Sequence, residues 1–283
     1  MVDPNQGHIR SSEWEGKGLD LFEYQGKELF ARHGIPVPSG EAAETPAEAK
    51  AAAERIGGPV AVKAQVQVGG RGKAGGIKVA NTVAEAEAAA EQILGMDIKG
   101  HTVHRVWIEA ASEIEKEYYA SITFDRSNKK PLVMLSAMGG VDIEAVAEEH
   151  PEKLARLHVD PLSGFHPHHA RRLCYEAGID DAAMRGVQDI LLKLYKGFNE
   201  LDAMLFEVNP LIVTKSGDVI ALDAKVTIDN NALYRHPDIL ALQEASTSDP
   251  QERMAQEKGV TYVKLDGDVP TLAVTPAPTD DPL

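Results

Sequence analysis

Lys63, Arg71 and Lys73 stand in or beside a run of glycines between Pro59 and Ala80, PVAVKAQVQVGGRGKAGGIKVA. An apolar strand bearing one lysine, a glycine-rich turn bearing two more cations, and a second strand from Ile77 to Ala80 present backbone N–H groups and positive charge to one spot. That is the chemistry a polyphosphate needs. A second constellation lies far along the chain in Leu205 to Lys225, LFEVNPLIVTKSGDVIALDAK, where two apolar runs flank Lys215-Ser216-Gly217, the composition of a three-residue hairpin loop. Pairing Thr214 with Asp218 sets Asn209 opposite Asp223, and Glu207, two residues before Asn209, shares that face. Pro210 favours an extended Asn209. Such a sparse set of oxygen donors suits Mg²⁺ that keeps waters and phosphate oxygens as its other ligands. A solvated strand end is the alternative, and the desolvation cost of polar groups interrupting buried strands favours the metal.

The glycine motif has look-alikes. Gly70 to Gly75 matches the spacing of the dinucleotide fingerprint, which works only if a helix follows, and Ile77-Lys78-Val79-Ala80 is strand chemistry. A Walker loop would end Gly-Lys-Ser/Thr, and Gly75 is followed by Gly76. What remains is a β-hairpin lid over phosphates, or a flexible surface hairpin. Charge favours the lid. With 44 acidic residues in 283, a window of this length should hold roughly five, yet Arg55 to Ala84 holds none and carries Arg55, Lys63, Arg71, Lys73 and Lys78. In a chain of net charge −15, an acid-free cationic segment is where an anionic ligand is received, and the acidic balance argues against nucleic acid.

The elements that position these residues follow from patterning. Residues 1–18 have no periodicity and are expected to be a disordered leader. An amphipathic helix follows from Leu19, closed by Gly34 and Pro36. Thr45-Pro46-Ala47-Glu48 and Thr82-Val83-Ala84-Glu85 are capping boxes opening alanine-rich helices that bracket the glycine hairpin and end near Gly57 and Gly95. Val103 to Ala111, Tyr118 to Phe124 and Leu132 to Ser136 are expected to be strands of an antiparallel sheet. The acidic link Glu109 to Glu117 is either a hinge whose polar atoms meet a base or ribose, or a solvated connection. Helices are expected over Ile143 to Glu149, His168 to Ala177 and Ala182 to Glu200. The histidines of Phe165-His166-Pro167-His168-His169 are expected to be a polar surface loop without metal geometry. A polar helix to Lys258, a strand at Thr261 to Leu265 and a proline-rich tail, four prolines in the last 14 residues, complete the pattern. No apolar run reaches bilayer length, and the single Cys174 excludes an internal disulfide, so a cytoplasmic protein without membrane contact is expected.

In the order LFEYQGKELFARHGIPVP, VKAQVQVGGRGKAGGIKV, IEAASEIEKEYY, DRSNKK, GGVDIE, FEVNPLI, ALDAKVTIDNNALYRHPD and YVKLDGD, the chain resembles the β subunit of succinate–CoA ligase over roughly Asp20 to Asp268, its ATP-grasp half. The resemblance implies an α+β fold, ATP-grasp, with two lobes closing on ATP or GTP. The glycine-lid lobe is expected at about 38–113, the second at 19–37 plus 114–269, and a tail at 270–283. It implies Lys63 and Gly70, Arg71 and Gly72 on the phosphates, Glu109, Ser112 and Glu117 around base and ribose, and Asn209 and Asp223 on Mg²⁺. Phosphoryl would pass to a histidine of an α subunit, which Glu207 faces, and on to succinate and CoA in the tricarboxylic acid cycle.

Two departures stand out. Ala224 replaces the glycine usual after the metal aspartate. The family's glycine loop and C-terminal CoA-ligase domain are expected to be missing after the YVKLDGD match, which implies a chain impaired when alone. A free-standing carboxylate–amine ligase, and a non-catalytic remnant that occupies the α subunit, are the alternatives.

Overall fold

The computed structural model describes residues 18–246, with 261–262 and 272–273. The leader, the polar helix to Lys258 and most of the tail expected above lie outside these residues. The chain divides into two compact units, Asp20–Asp229 and the two flanks together. In the second, the described residues form a 3₁₀ segment, Asn230–Arg235, and a helix, Pro237–Ser246, while Thr261–Tyr262 pairs with Leu272–Ala273.

The first unit, Asp20–Asp229, begins with α1 (Glu23–Arg32), which His33 and the left-handed Gly34 terminate. A four-stranded antiparallel sheet follows, built from β1 (Gly40–Ala43), β2 (Val60–Ala64), β3 (Ile77–Ala80) and β4 (Val106–Ala110) in the order β1-β4-β2-β3. Helices α2 (Pro46–Ile56) and α3 (Val83–Ile93) pack together with it, and their alanines, Ala49, Ala52, Ala53, Ala86 and Ala90, are almost wholly buried against Val60, Val62 and Ile108. Small side chains let two helices and a sheet approach closely. Thr45 and Thr82 cap as expected, each accepting from the glutamate N–H three residues on at 3.2 Å. Glu48 and Glu85 bond back to Glu44 and Asn81 rather than to the threonine itself.

β2 and β3 pair with Lys63 opposite Ile77, so the glycines do close a hairpin between strands. The strands expected through Val103 to Ser136 fall in two sheets, on either side of the link expected as a hinge. β4 belongs to the first sheet, whereas β5 (Ile114–Asp125) and β6 (Lys130–Ser136) belong to a second, and the chain crosses at residues 111–113.

The second sheet adds β7 (Leu154–His158), β8 (Ala203–Thr214), β9 (Val219–Ala221) and β10 (Lys225–Asp229), ordered β10-β8-β5-β6-β7 with β9 also on β8. The 12-residue β8 lies against β5 along one edge and divides its other edge between β10 and β9. Leu211 pairs with Ala221 and Val213 with Val219, the register the three-residue loop dictates. Helices α4 (Ile143–Glu149), α5 (Pro167–Ala177) and α6 (Asp181–Glu200) complete the unit. The histidine cluster is the start of α5 rather than a loop, with His166 N–H donating to His169 Nδ1 at 3.1 Å.

Phe206 of β8 is wholly buried between Phe30 of α1 and Phe198 of α6, with ring centroids 5.3 and 6.2 Å away. Truncating an aromatic in such a core removes its transfer energy and leaves a cavity. Phe206→Ala should lower unfolding free energy by about 3–5 kcal/mol in urea titrations. A loss below about 1 kcal/mol would place Phe206 outside the core.

Candidate functional site

The first turn of α1 brings a carboxylate and an amine inward. Glu23 and Lys27, one helical turn apart and 4% and 1% exposed, pair at 2.7 Å. They share the stripe of Phe30, which explains why that face of α1 points into the protein. Lys63, in the middle of β2, reaches Glu23 at 3.0 Å, Glu109 Oε1 at 2.5 Å and the Leu222 carbonyl at 3.0 Å. Lys63 stands opposite Trp107 on β4, so Glu109, two residues on, is its diagonal neighbour on the same face. Lys27 also pairs with Glu109, at the Oε2 that accepts from Trp107 Nε1 at 2.9 Å.

Arg71 completes the cluster from the glycine turn. Its Nη1 meets Glu23 and the Ala64 carbonyl, the latter at 3.2 Å, and its Nη2 donates to both oxygens of Asp223 at 2.9 Å. Lys27, Lys63 and Arg71 are thereby matched by Glu23, Glu109 and Asp223. Burial works against the charges of Glu23, Lys63 and Arg71, and their partners overcome it. Arg71, Lys27 and Lys63 hold the Glu23 carboxyl well below its ordinary range. Glu23, Glu109 and Asp223 raise Lys63, and Glu23 and Asp223 raise Arg71.

The turn itself depends on glycine at two points. Gly70 has φ +84°, and a Cβ at Gly76 would stand 2.8 Å from Ile98 and 3.1 Å from Ala64. The N–H groups of Ala74, Gly75 and Gly76 are spent on carbonyls within the turn, whereas those of Gly70 to Lys73 make no hydrogen bond among the described residues.

Around the second hairpin, the Leu222 N–H donates to the Pro210 carbonyl at 3.2 Å, continuing the register that sets Asn209 opposite Asp223. The Asn209–Pro210 peptide is cis. The Asn209 amide accepts from Gly140 N–H at 2.8 Å and donates to the Val141 carbonyl at 2.9 Å, which fixes its orientation. Glu117 lies against the same loop, since a Cβ on Gly140, at φ +69°, would stand 2.6 Å from its carboxylate. Glu207 sits in a row with Ser121 on β5 and Lys225 on β10 and accepts from Tyr119 Oη at 3.1 Å. Burial pushes its carboxyl above the ordinary value, partly offset by Lys225.

The structure thus joins Lys63, Arg71, Glu109 and Asp223 in one cluster and brings Asn209 and Glu117 to one loop. Ser112 lies half-buried in the crossing segment. Glu109, expected around base and ribose, is wholly buried on two lysines. Glu23 and Lys27 were missed, because an i,i+4 Glu/Lys pair ordinarily marks a solvated face. Their place on the Phe30 stripe was the available signal. As for a metal, no three His, Cys, Asp or Glu gather to hold one among the described residues. Asp223, one-third exposed, and Asn209 offer only hard oxygen donors, which suits an ion that brings its own waters and phosphate oxygens.

A family model for the ATP-grasp domain matches residues 20–213. The chain belongs to the ATP-grasp family. A succinate–CoA ligase [ADP-forming] β subunit from Rubrobacter xylanophilus is 54% identical to this ATP-grasp chain over 251 residues, 89% of it and 66% of that relative. The [GDP-forming] β subunit of Thermus thermophilus is 48% identical over the same shares. The chain therefore spans 66% of the length of these curated relatives. In fold it is similar to the dinucleotide forming acetyl-coenzyme A synthetase 1 of Ca. Korarchaeum cryptofilum, solved with coenzyme A, Ca-AMPCP and HgCl⁺. The TM-score is 0.61 at 19% identity, covering 77% of this chain and 96% of that one. No described helix is long and apolar enough to cross a membrane.

Because the folded pKa of Glu23 is depressed, the unfolded chain takes up this proton first on acidification. The stabilisation is full above the ordinary carboxylate range, about pH 4.3, and declines below it until the folded pKa is reached. Glu23→Gln should cost about 3–5 kcal/mol at neutral pH and flatten the acid limb of the stability profile. An unchanged profile would show that Glu23 is not ionised in the fold.

Proposed function

We propose that this chain is the nucleotide-binding portion of a succinate–CoA ligase β subunit. It would act in Mg²⁺-dependent phosphoryl transfer from ATP or GTP to a histidine of an α subunit, and thence to succinate and CoA. The observation that carries the reading is the meeting of Lys63, Arg71 and Asp223. A cationic strand-and-glycine turn and an acidic hairpin end, 152 positions apart between Arg71 and Asp223, share one cluster. The identity to two curated β subunits supports the substrate class and the α-subunit partner. The single, buried Cys174 agrees with a reducing cytoplasm.

In this reading Lys63, Arg71 and the N–H groups of Gly70 to Gly72 neutralise and orient the polyphosphate, which is most of what phosphoryl transfer asks of a protein. Glu109 keeps Lys63 charged and aimed, while Ser112 and Glu117 meet base and ribose. Asp223 and Asn209 hold Mg²⁺, which supplies charge neutralisation to the phosphates. Glu207, which accepts from Tyr119, faces the acceptor histidine. Removing a charged donor to a phosphate costs about 1.5–3 kcal/mol. Lys63→Ala should therefore weaken Mg-ATP binding about 10- to 100-fold in calorimetry. Wild-type affinity in that variant would remove the lysine from the phosphate site and with it the main support for the assignment.

A further inference from the structure

Arg71 joins the two halves of the candidate site directly. Its Nη2 spans both oxygens of Asp223 at 2.9 Å, and Asp223 Oδ1 also takes the Ala224 N–H at 2.8 Å. Its Nη1 stays on Glu23 and the Ala64 carbonyl. A divalent cation arriving alone meets a carboxylate already covered by a guanidinium, and must also approach that positive charge. A polyphosphate arriving alone meets a guanidinium already neutralised on both arms. Either ligand by itself would strand one half of a pair in a setting where Arg71 is only 9% exposed, and an uncompensated charge there is costly.

Arriving together, the two ligands exchange one pair for two. Phosphate takes Nη2, the cation takes the Asp223 oxygens, and no charge is left unmatched. The Glu23 contact on Nη1 is untouched by the exchange and keeps the side chain in place.

We propose that Arg71 is a specificity-determining residue that makes the site take up a metal–nucleotide complex in preference to either component alone. The inference rests on the reading of Asp223 as a metal ligand and of Arg71 as a phosphate cation. It adds that each is masked by the other until both ligands are present. Lys63 does not share this role, since its partners are Glu23, Glu109 and the Leu222 carbonyl.

The test uses single ligands, so that association of metal with nucleotide in solution does not enter. Mn²⁺ alone is titrated by its spin-resonance signal, and a non-hydrolysable ATP analogue alone is titrated by calorimetry in the presence of a chelator. Arg71→Met should bind Mn²⁺ alone about tenfold more tightly than wild type, and Asp223→Asn should bind the metal-free analogue about tenfold more tightly. Glu144→Gln, which removes an equal charge nearby without touching Arg71, should change the latter by about twofold or less. Circular dichroism confirms the fold, and the isosteric Asp223→Asn carries the test if Arg71→Met does not fold. Metal-free affinity that fails to rise in Asp223→Asn, or rises equally in Glu144→Gln, overturns the masking. So does Mn²⁺ affinity that stays flat or falls in folded Arg71→Met. A wild type that binds no analogue even with Mn²⁺ present overturns the functional reading itself.

Discussion

Three cations and three carboxylates share one cluster, five of the six buried, and each buried charge is tolerable there only because the others are present. Glu23 is the hub. It touches Lys27 from its own helix, Lys63 from the first sheet and Arg71 from the glycine turn. Electroneutrality in a low-dielectric setting thus constrains where α1 begins, how deep β2 carries its lysine and which way the glycine turn folds back. Asp223 extends the same constraint to the hairpin of the second sheet. The candidate site is one electrostatic object assembled from α1, β2, the glycine turn, β4 and the hairpin end.

Sheet register does the rest of the positioning. Ser121, Glu207 and Lys225 fall in one row across β5, β8 and β10, and Asn209 follows two residues after Glu207 on the same strand. The loop through Gly139 and Gly140 then clamps the Asn209 amide. A Cβ at Gly139 would stand 2.3 Å from the Tyr118 carbonyl oxygen, so the loop lies on β5 at backbone contact. Glycine is needed there for closeness to a strand, as at Gly76 in the glycine turn, where it is needed for closeness to Ala64.

Much of this was legible in the sequence, for physical reasons. The glycine hairpin announced itself because strand chemistry stands on both sides of the glycines. The Thr214–Asp218 register followed from loop length alone, and it carried Asn209 to the position opposite Asp223. The capping threonines marked α2 and α3 correctly. What the sequence hid was long-range. The short edge strands β1 and β7, GEAA and LARLH, have no length for a period to show. By contrast, the transfer of the chain between sheets at residues 111–113 falls within the Glu109 to Glu117 link expected as a hinge. Nothing local shows that Glu109, expected beside a nucleotide, also pairs with Lys27, 82 positions away. Lys27 and Glu23 were passed over because charged residues on a helix are usually solvated, and only their common stripe with Phe30 spoke against it.

The central claim is that this charge cluster is the seat of a metal-bound polyphosphate. A crystal structure of the chain with Mg²⁺ and a non-hydrolysable ATP analogue tests it most directly. The account predicts phosphate oxygens on Lys63 and Arg71, the metal on Asp223 and Asn209, and the Arg71–Asp223 pair opened with Arg71 still on Glu23. Phosphates seated elsewhere, with all six charges of the cluster still paired as they are here, would contradict it.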